Sequence, residues 1–151
     1  MNSLLVQLGE KMDQVRSQRH RLIFLVHTEE KKQSLTELLK QLDAVHMNLS
    51  LLLSERLKEH PLNKRPLKVG RMVSEIVHQT ESETLCFDRI ELVFHPDLQQ
   101  DPLRLFENVS GNKTILVCWP GEYDGSALSY AQPGHPEYIK VPFPQAFVLQ
   151  I

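Results

Sequence analysis

The residues best placed to do chemistry follow the apolar run Leu22-Ile23-Phe24-Leu25-Val26 in the stretch LIFLVHTEEKKQSLTELLKQL. A strand, a short polar turn and a helix in that order is the layout in which P-loop proteins hold a triphosphate, through the pattern G-x-x-x-x-G-K-[ST]. Its glycines let backbone N–H groups approach the phosphates, its lysine meets the β and γ oxygens, and its hydroxyl ligates Mg²⁺. Laid without gaps after Val26, the pattern puts His27 and Lys32 at the glycines, Gln33 at the lysine and Ser34 at the hydroxyl. Only the serine fits. Sliding the frame so that Lys31 or Lys32 becomes the phosphate lysine leaves no hydroxyl directly after it and still no glycine. Glu29 and Glu30 enter the first helical turn, where they satisfy the positive end of the helix dipole and repel an incoming phosphate.

A second acidic position is Asp88, closing the mostly apolar TLCFD. That is the shape of a Walker B strand, whose carboxylate orders Mg²⁺ in P-loop NTPases, and Glu91 stands three residues on as a second acid. Any buried strand ending in Asp has the same shape, and Glu91 has a plain alternative reading as a solvated carboxylate. His135 and Glu137 lie between prolines in YAQPGHPEY, residues 130–138. No H-x-x-x-H, H-x-x-E-H or C-x-x-C spacing supports a metal site. The segment is read as a rigid loop with Tyr130 and Tyr138 packing on a sheet edge, or else as a partner-recognition loop.

Lys64, Arg65, Lys68 and Arg71 form the one basic cluster, on a predicted loop HPLNKRPLKVGR marked by two prolines and a glycine. Such a cluster is either solvated or meets phosphate or an acidic partner. Without interleaved aromatics it does not stack single-stranded bases.

The elements that must position these residues follow from periodicity. Leu4, Leu5, Leu8, Met12 and Val15 predict an amphipathic helix over 3–18, and Leu35, Leu38, Leu39 and Leu42 give a second helix its buried stripe. Strands are predicted over 21–26, 46–50, 84–87, 114–118 and 146–149, with helix continuing over 51–58 and beginning again at Val69. Asp101-Pro102 opens a helix over 101–109, with Asp as N-cap and Pro at the first helical position. Alternating β and α segments with apolar strands mean a mostly parallel sheet covered on both faces.

With 151 residues, 41% hydrophobic and 24% charged, the chain fits one soluble domain, and no apolar run nears the roughly 20 residues that span a bilayer. The opening Met1-Asn2-Ser3-Leu4-Leu5-Val6 lacks the features of a secretory signal, so a cytoplasmic location and no membrane partner are expected. Cys86 and Cys118 fall in apolar runs and are expected as buried free thiols. Net charge is only −2, but residues 1–72 hold thirteen Lys/Arg against eight Asp/Glu, and residues 73–151 four against eleven. A bipolar chain of this kind can dock on an unlike face of a partner or of its own copy.

Beyond these local patterns, MNLSLLLSERL, DRIELVF, DPLRLFENVS, WPGEY and YAQPGHPEY together resemble the BrxF family, small P-loop-containing proteins of type 3 BREX phage-defence systems. The resemblance spans residues 20–141, about four-fifths of the chain. It implies a RecA/AAA-like P-loop NTPase core without a lid domain, encoded among bacterial antiphage genes. It puts Asp88 at the Walker B position and Ser34 at the Mg²⁺-ligand position, with Trp119 to Gly121 ending the sensor strand. The glycines and the lysine of the nucleotide loop are where this chain departs from it.

The reading is therefore a single P-loop-NTPase-like domain over 1–151, with an N-terminal helix in 1–19, the family-like core in 20–141 and a final strand in 142–151. A three-layer α/β fold is expected, its parallel sheet of about five strands having one strand inserted between the Walker A and Walker B strands. The expected function is that of a cytoplasmic component of a BREX-type system, acting through contacts with other defence proteins, with no cofactor. Two alternatives stand beside it: a weak ATPase using Lys31 or Lys32, Asp88 and ATP with Mg²⁺, and a DNA-contacting accessory subunit using the 64–71 cluster.

Overall fold

The computed structural model describes residues 3–142, 144 and 146–151. Met1, Asn2, Phe143 and Gln145, which fall within the 1–19 and 142–151 segments, lie outside the described residues. Five parallel strands, β1 (Leu22–Val26), β2 (Val45–Asn48), β3 (Thr84–Asp88), β4 (Thr114–Trp119) and β8 (Phe147–Gln150), form one sheet in the order β2-β3-β4-β1-β8. One strand, β4, thus separates β1 from β3, as the sequence led us to expect. A smaller antiparallel sheet joins β5 (Glu122–Tyr123), β6 (Ala127–Tyr130) and β7 (Ile139–Pro142).

The period-2 alternation of strand side chains divides the core in two. Leu22, Phe24, Leu85, Phe87, Ile115 and Val117 face α3 (Leu49–Leu57), α4 (Val69–Gln79) and α5 (Pro102–Glu107). Ile23, Leu25, Cys86, Leu116 and Cys118 face α1 (Ser3–Val15) and α2 (Lys32–Lys40). Helices therefore cover both faces, which is why β1 is apolar at every position, β4 at every position after Thr114, and both are buried throughout. Local signals fix several ends: Asn48 caps α3 by accepting from Leu51 N at 3.0 Å, and Asp101 caps α5 by accepting from Arg104 N at 3.2 Å.

Three expectations need correction. The first helix stops at Val15 instead of reaching residue 18. The basic segment is no loop: Pro61 caps a 3-10 helix over Leu62–Leu67 that holds Pro66, and α4 begins at Val69. Short 3-10 runs tolerate proline because few of their N–H groups are bonded, so composition alone misled. Nor is YAQPGHPEY wholly a loop. Tyr130 ends β6, residues 131–138 turn the chain, and β7 starts at Ile139. Tyr130 does pack inward, stacked on Phe94 with ring centroids 4.1 Å apart, while Tyr138 is half-buried.

Cys86 and Cys118 are free and buried on one face of the sheet, their sulfurs 3.7 Å apart. The bond to Cys86, then burial, then the nearby Asp88 charge push the Cys118 thiol well above its ordinary value. A protonated thiol is a poor nucleophile. Neither cysteine should react with a maleimide in the native protein, and both should react once guanidinium has unfolded it; mass spectrometry finding a labelled cysteine before unfolding would contradict the packing described.

Candidate functional site

In parallel α/β sheets ligands bind outside the carboxyl ends of the strands, so that edge is the place to look. There β1 leads through His27 and Thr28 into a 3-10 turn, Glu29–Lys31, and then α2. Glu29, Glu30, Lys31, Lys32 and Gln33 are exposed, and Ser34 is half-buried in the first turn of α2. The Gln33 amide donates along the helix to Glu37 Oε1 at 3.3 Å, away from the lysine's task. A phosphate-binding nest needs successive N–H groups to converge, which takes residues of left-handed backbone among right-handed ones. Among the described residues the left-handed ones are Arg89, Gln99, Gly125, Ala131 and Gly134, and none lies in 27–34. The turn has neither the glycines nor the backbone shape of a triphosphate cradle.

Two cavities flank this turn, of about 310 and 370 Å³. Both are lined by His27, Thr28, Gly121 and Glu122, and neither by Lys31, Lys32, Gln33 or Ser34. His27 Nδ1 is buried without a hydrogen-bond partner among the described residues. Glu122, which lines both hollows, and Glu29, which lines the larger, make them inhospitable to phosphate.

Asp88 closes β3 at this edge, in register with Asn48 of β2, and is exposed. Its Oδ1 accepts from Arg89 N at 2.8 Å, which caps a turn that Arg89 makes in the left-handed region, φ 51°. A non-glycine residue there is strained by about 1–3 kcal/mol, so neighbours must hold it. Ser50 at the start of α3 does so: its N–H (2.8 Å) and its hydroxyl both donate to Arg89 O, and its Oγ accepts from Leu92 N at 3.0 Å. Asp88 thus has a structural task at the strand end, and the turn swings Glu91 into a 3-10 helix, Glu91–Phe94, beside α3. Sequence reading missed the Ser50–Arg89 contact because it joins residues 39 apart.

Above the edge sits the antiparallel sheet, anchored by an aromatic column. Trp119 meets Phe24 and Phe94 edge-on at 5.6 and 5.2 Å, and Phe94 carries Tyr130. The indole N–H donates to Ser129 O at 2.9 Å. Burial and the charges of Glu137 and Glu91 raise the Tyr130 hydroxyl above its usual value, so those two carboxylates stand near it. Asp124 folds the β5–β6 turn by accepting from Ser126 N, Ala127 N and Ser126 Oγ, and these bonds hold its carboxyl below the usual range.

The basic cluster is divided in its work. Lys64 is exposed and Lys68 half-buried, whereas Arg65 donates through Nε to His60 O at 3.0 Å and Arg71 pairs with Glu75 at 3.5 Å. Two of the four cations therefore already have partners within the chain.

Among the described residues no three His, Cys, Asp or Glu side chains converge as a metal site, and no helix is long and apolar enough to cross a membrane. No family model, no curated protein and no solved structure matches the chain.

Proposed function

We propose that the chain is a P-loop-NTPase-like protein of the RecA/AAA type whose nucleotide loop has decayed, and that it serves a BREX-type antiphage system through contacts with other proteins. The observation that carries this reading is the β1-to-α2 turn. On a sheet with one strand between β1 and β3, residues 27–34 hold no glycine and no left-handed backbone, and acids line the hollows beside them. A fold arranged for phosphate has lost the groups that hold phosphate, which leaves surfaces as the means of action. The sequence resemblance across 20–141 supports the defence setting.

The test has two arms. Calorimetry with ATP and Mg²⁺ should give no binding tighter than about millimolar, a free energy near −4 kcal/mol, and Gln33→Lys alone should not rescue it. Micromolar affinity would instead support the weak ATPase using Lys31 or Lys32 and Asp88. In the second arm, deleting the gene from its native host should abolish protection against phage. Unchanged protection sinks the defence reading.

A further inference from the structure

Among the described residues one buried side-chain nitrogen or oxygen lacks a hydrogen-bond partner, and it is His27 Nδ1. Buried polar atoms are nearly always bonded, so a lone exception asks what its partner is. Its position narrows the answer. His27 directly follows β1, the strand flanked by β4 and β8, at the carboxyl edge where parallel sheets bind their ligands. The two hollows there, of about 310 and 370 Å³, share His27, Thr28, Gly121 and Glu122, and so adjoin as one cleft at the end of β1.

Charge decides which kind of partner fits. Glu122 lines both hollows and Glu29 the larger, whereas no lysine or arginine lines either. Neither carboxylate group makes a hydrogen bond or an ion pair among the described residues. If Nδ1 carries the imidazole proton it calls for an acceptor, and an anionic acceptor is what two carboxylates repel. If the proton is on Nε2, Nδ1 calls for a donor, and a cationic donor is what they attract. The smaller hollow adds apolar wall from Val26, Tyr123 and Ile151, which suits a methylene chain behind a charged head.

We propose that this cleft binds an aliphatic ammonium group, carried by a free amine or by a lysine side chain. The ammonium lies between Glu122 and His27 and donates to Nδ1, and its methylenes run along Val26, Tyr123 and Ile151. His27 is half-buried and lines the cleft, so a small turn of its ring presents Nδ1 to the ligand. Inorganic phosphate and nucleotides are excluded by the same carboxylates that attract the amine. Such a site stands whether or not the protein serves in defence.

The test is NMR titration of the full chain with isotope-labelled histidine, since the ring nitrogens report directly on a hydrogen bond at Nδ1. The probes are cadaverine for the free amine, Nα-acetyl-lysine methylamide for the lysine side chain, and inorganic phosphate as the opposite charge. At least one amine should shift the His27 nitrogens saturably, with a dissociation constant of about 1 mM or tighter, and phosphate should leave them unmoved. By calorimetry the pair Glu29→Gln with Glu122→Gln should bind that amine at least tenfold more weakly, and His27→Leu should also weaken it. Glu59→Gln, an exposed acid beyond the end of α3, should bind as wild type does. The glutamine variants should melt near wild type, because these carboxylates bond nothing within the chain. Binding of cadaverine alone makes the ligand a free amine, binding of the lysine model alone makes it a lysine of another protein, and either or both uphold the site. Saturable binding of neither overturns the proposal, as does equal weakening by Glu59→Gln, which marks charge attraction without a site. Unchanged affinity in the double variant or in His27→Leu overturns it too; should His27→Leu not fold, the double variant decides.

Discussion

Leu85→Asp should yield no folded protein, by circular dichroism and by loss of a cooperative unfolding transition. Leu85 is fully buried in β3, between β2 and β4 and facing α4 side chains. Removing a buried leucine costs about 2–5 kcal/mol, and an unpaired carboxylate in its place adds several more. Domains have only about 5–15 kcal/mol in hand. Asp88→Ala, three residues along the same strand, should by contrast fold normally, losing about 1 kcal/mol for the capping bond to Arg89 N. A Leu85→Asp protein that melts cooperatively would mean that β3 is not central to the sheet.

Gly121→Ala should be the most damaging small substitution at the carboxyl edge. A Cβ at Gly121 would lie 1.8 Å from Ser129 O and 2.9 Å from the Trp119 indole nitrogen. Backbone cannot swing aside as a side-chain tip can, so β6 must move and the bond from Trp119 Nε1 to Ser129 O must break. Overpacking of this kind costs about 1–3 kcal/mol and the orphaned buried indole about 1–3 more. For a chain of this size that lowers Tm by roughly 5–15 °C. Trp119, the one tryptophan, reports the change directly, since emission should shift to the red as the ring loses its packing. Melting within a degree or two of wild type would show that the antiparallel sheet does not sit as described.

How legible each element was depended on whether its signal is local. β1, β3, β4 and β8 stood out because strands covered on both faces are apolar at successive positions, and α5 because Asp101-Pro102 supplies cap and first turn together. The antiparallel sheet was missed although Asp124-Gly125 between Tyr123 and Ala127 is a hairpin signal, with Gly125 at φ 98°. Its first strand has two residues, too few to show alternation, and the prolines near its last strand mimic loop composition. Within the candidate site, Asp88 and the absent glycines were visible, each carried by a contiguous stretch. The clamp of Ser50 on Arg89 was not, because it arises where α3 packs on the segment after β3, and no sequence window contains both.

The sheet order also sets a timetable for assembly. β1 is hydrogen-bonded on one side to β4, Ile23 opposite Leu116, and on the other to β8, Ile23 opposite Phe147. Its nearer neighbour arrives some ninety residues later in synthesis and its farther one after more than a hundred. Until then five consecutive apolar residues have both edges open, a template for pairing with the wrong chain. Non-local parallel pairing of this sort is slow, because loop closure must precede any reward from the contact. The most deeply covered strand of the finished protein is therefore its most vulnerable while the chain is being made, and the interval before β8 docks is when chaperones have most to protect.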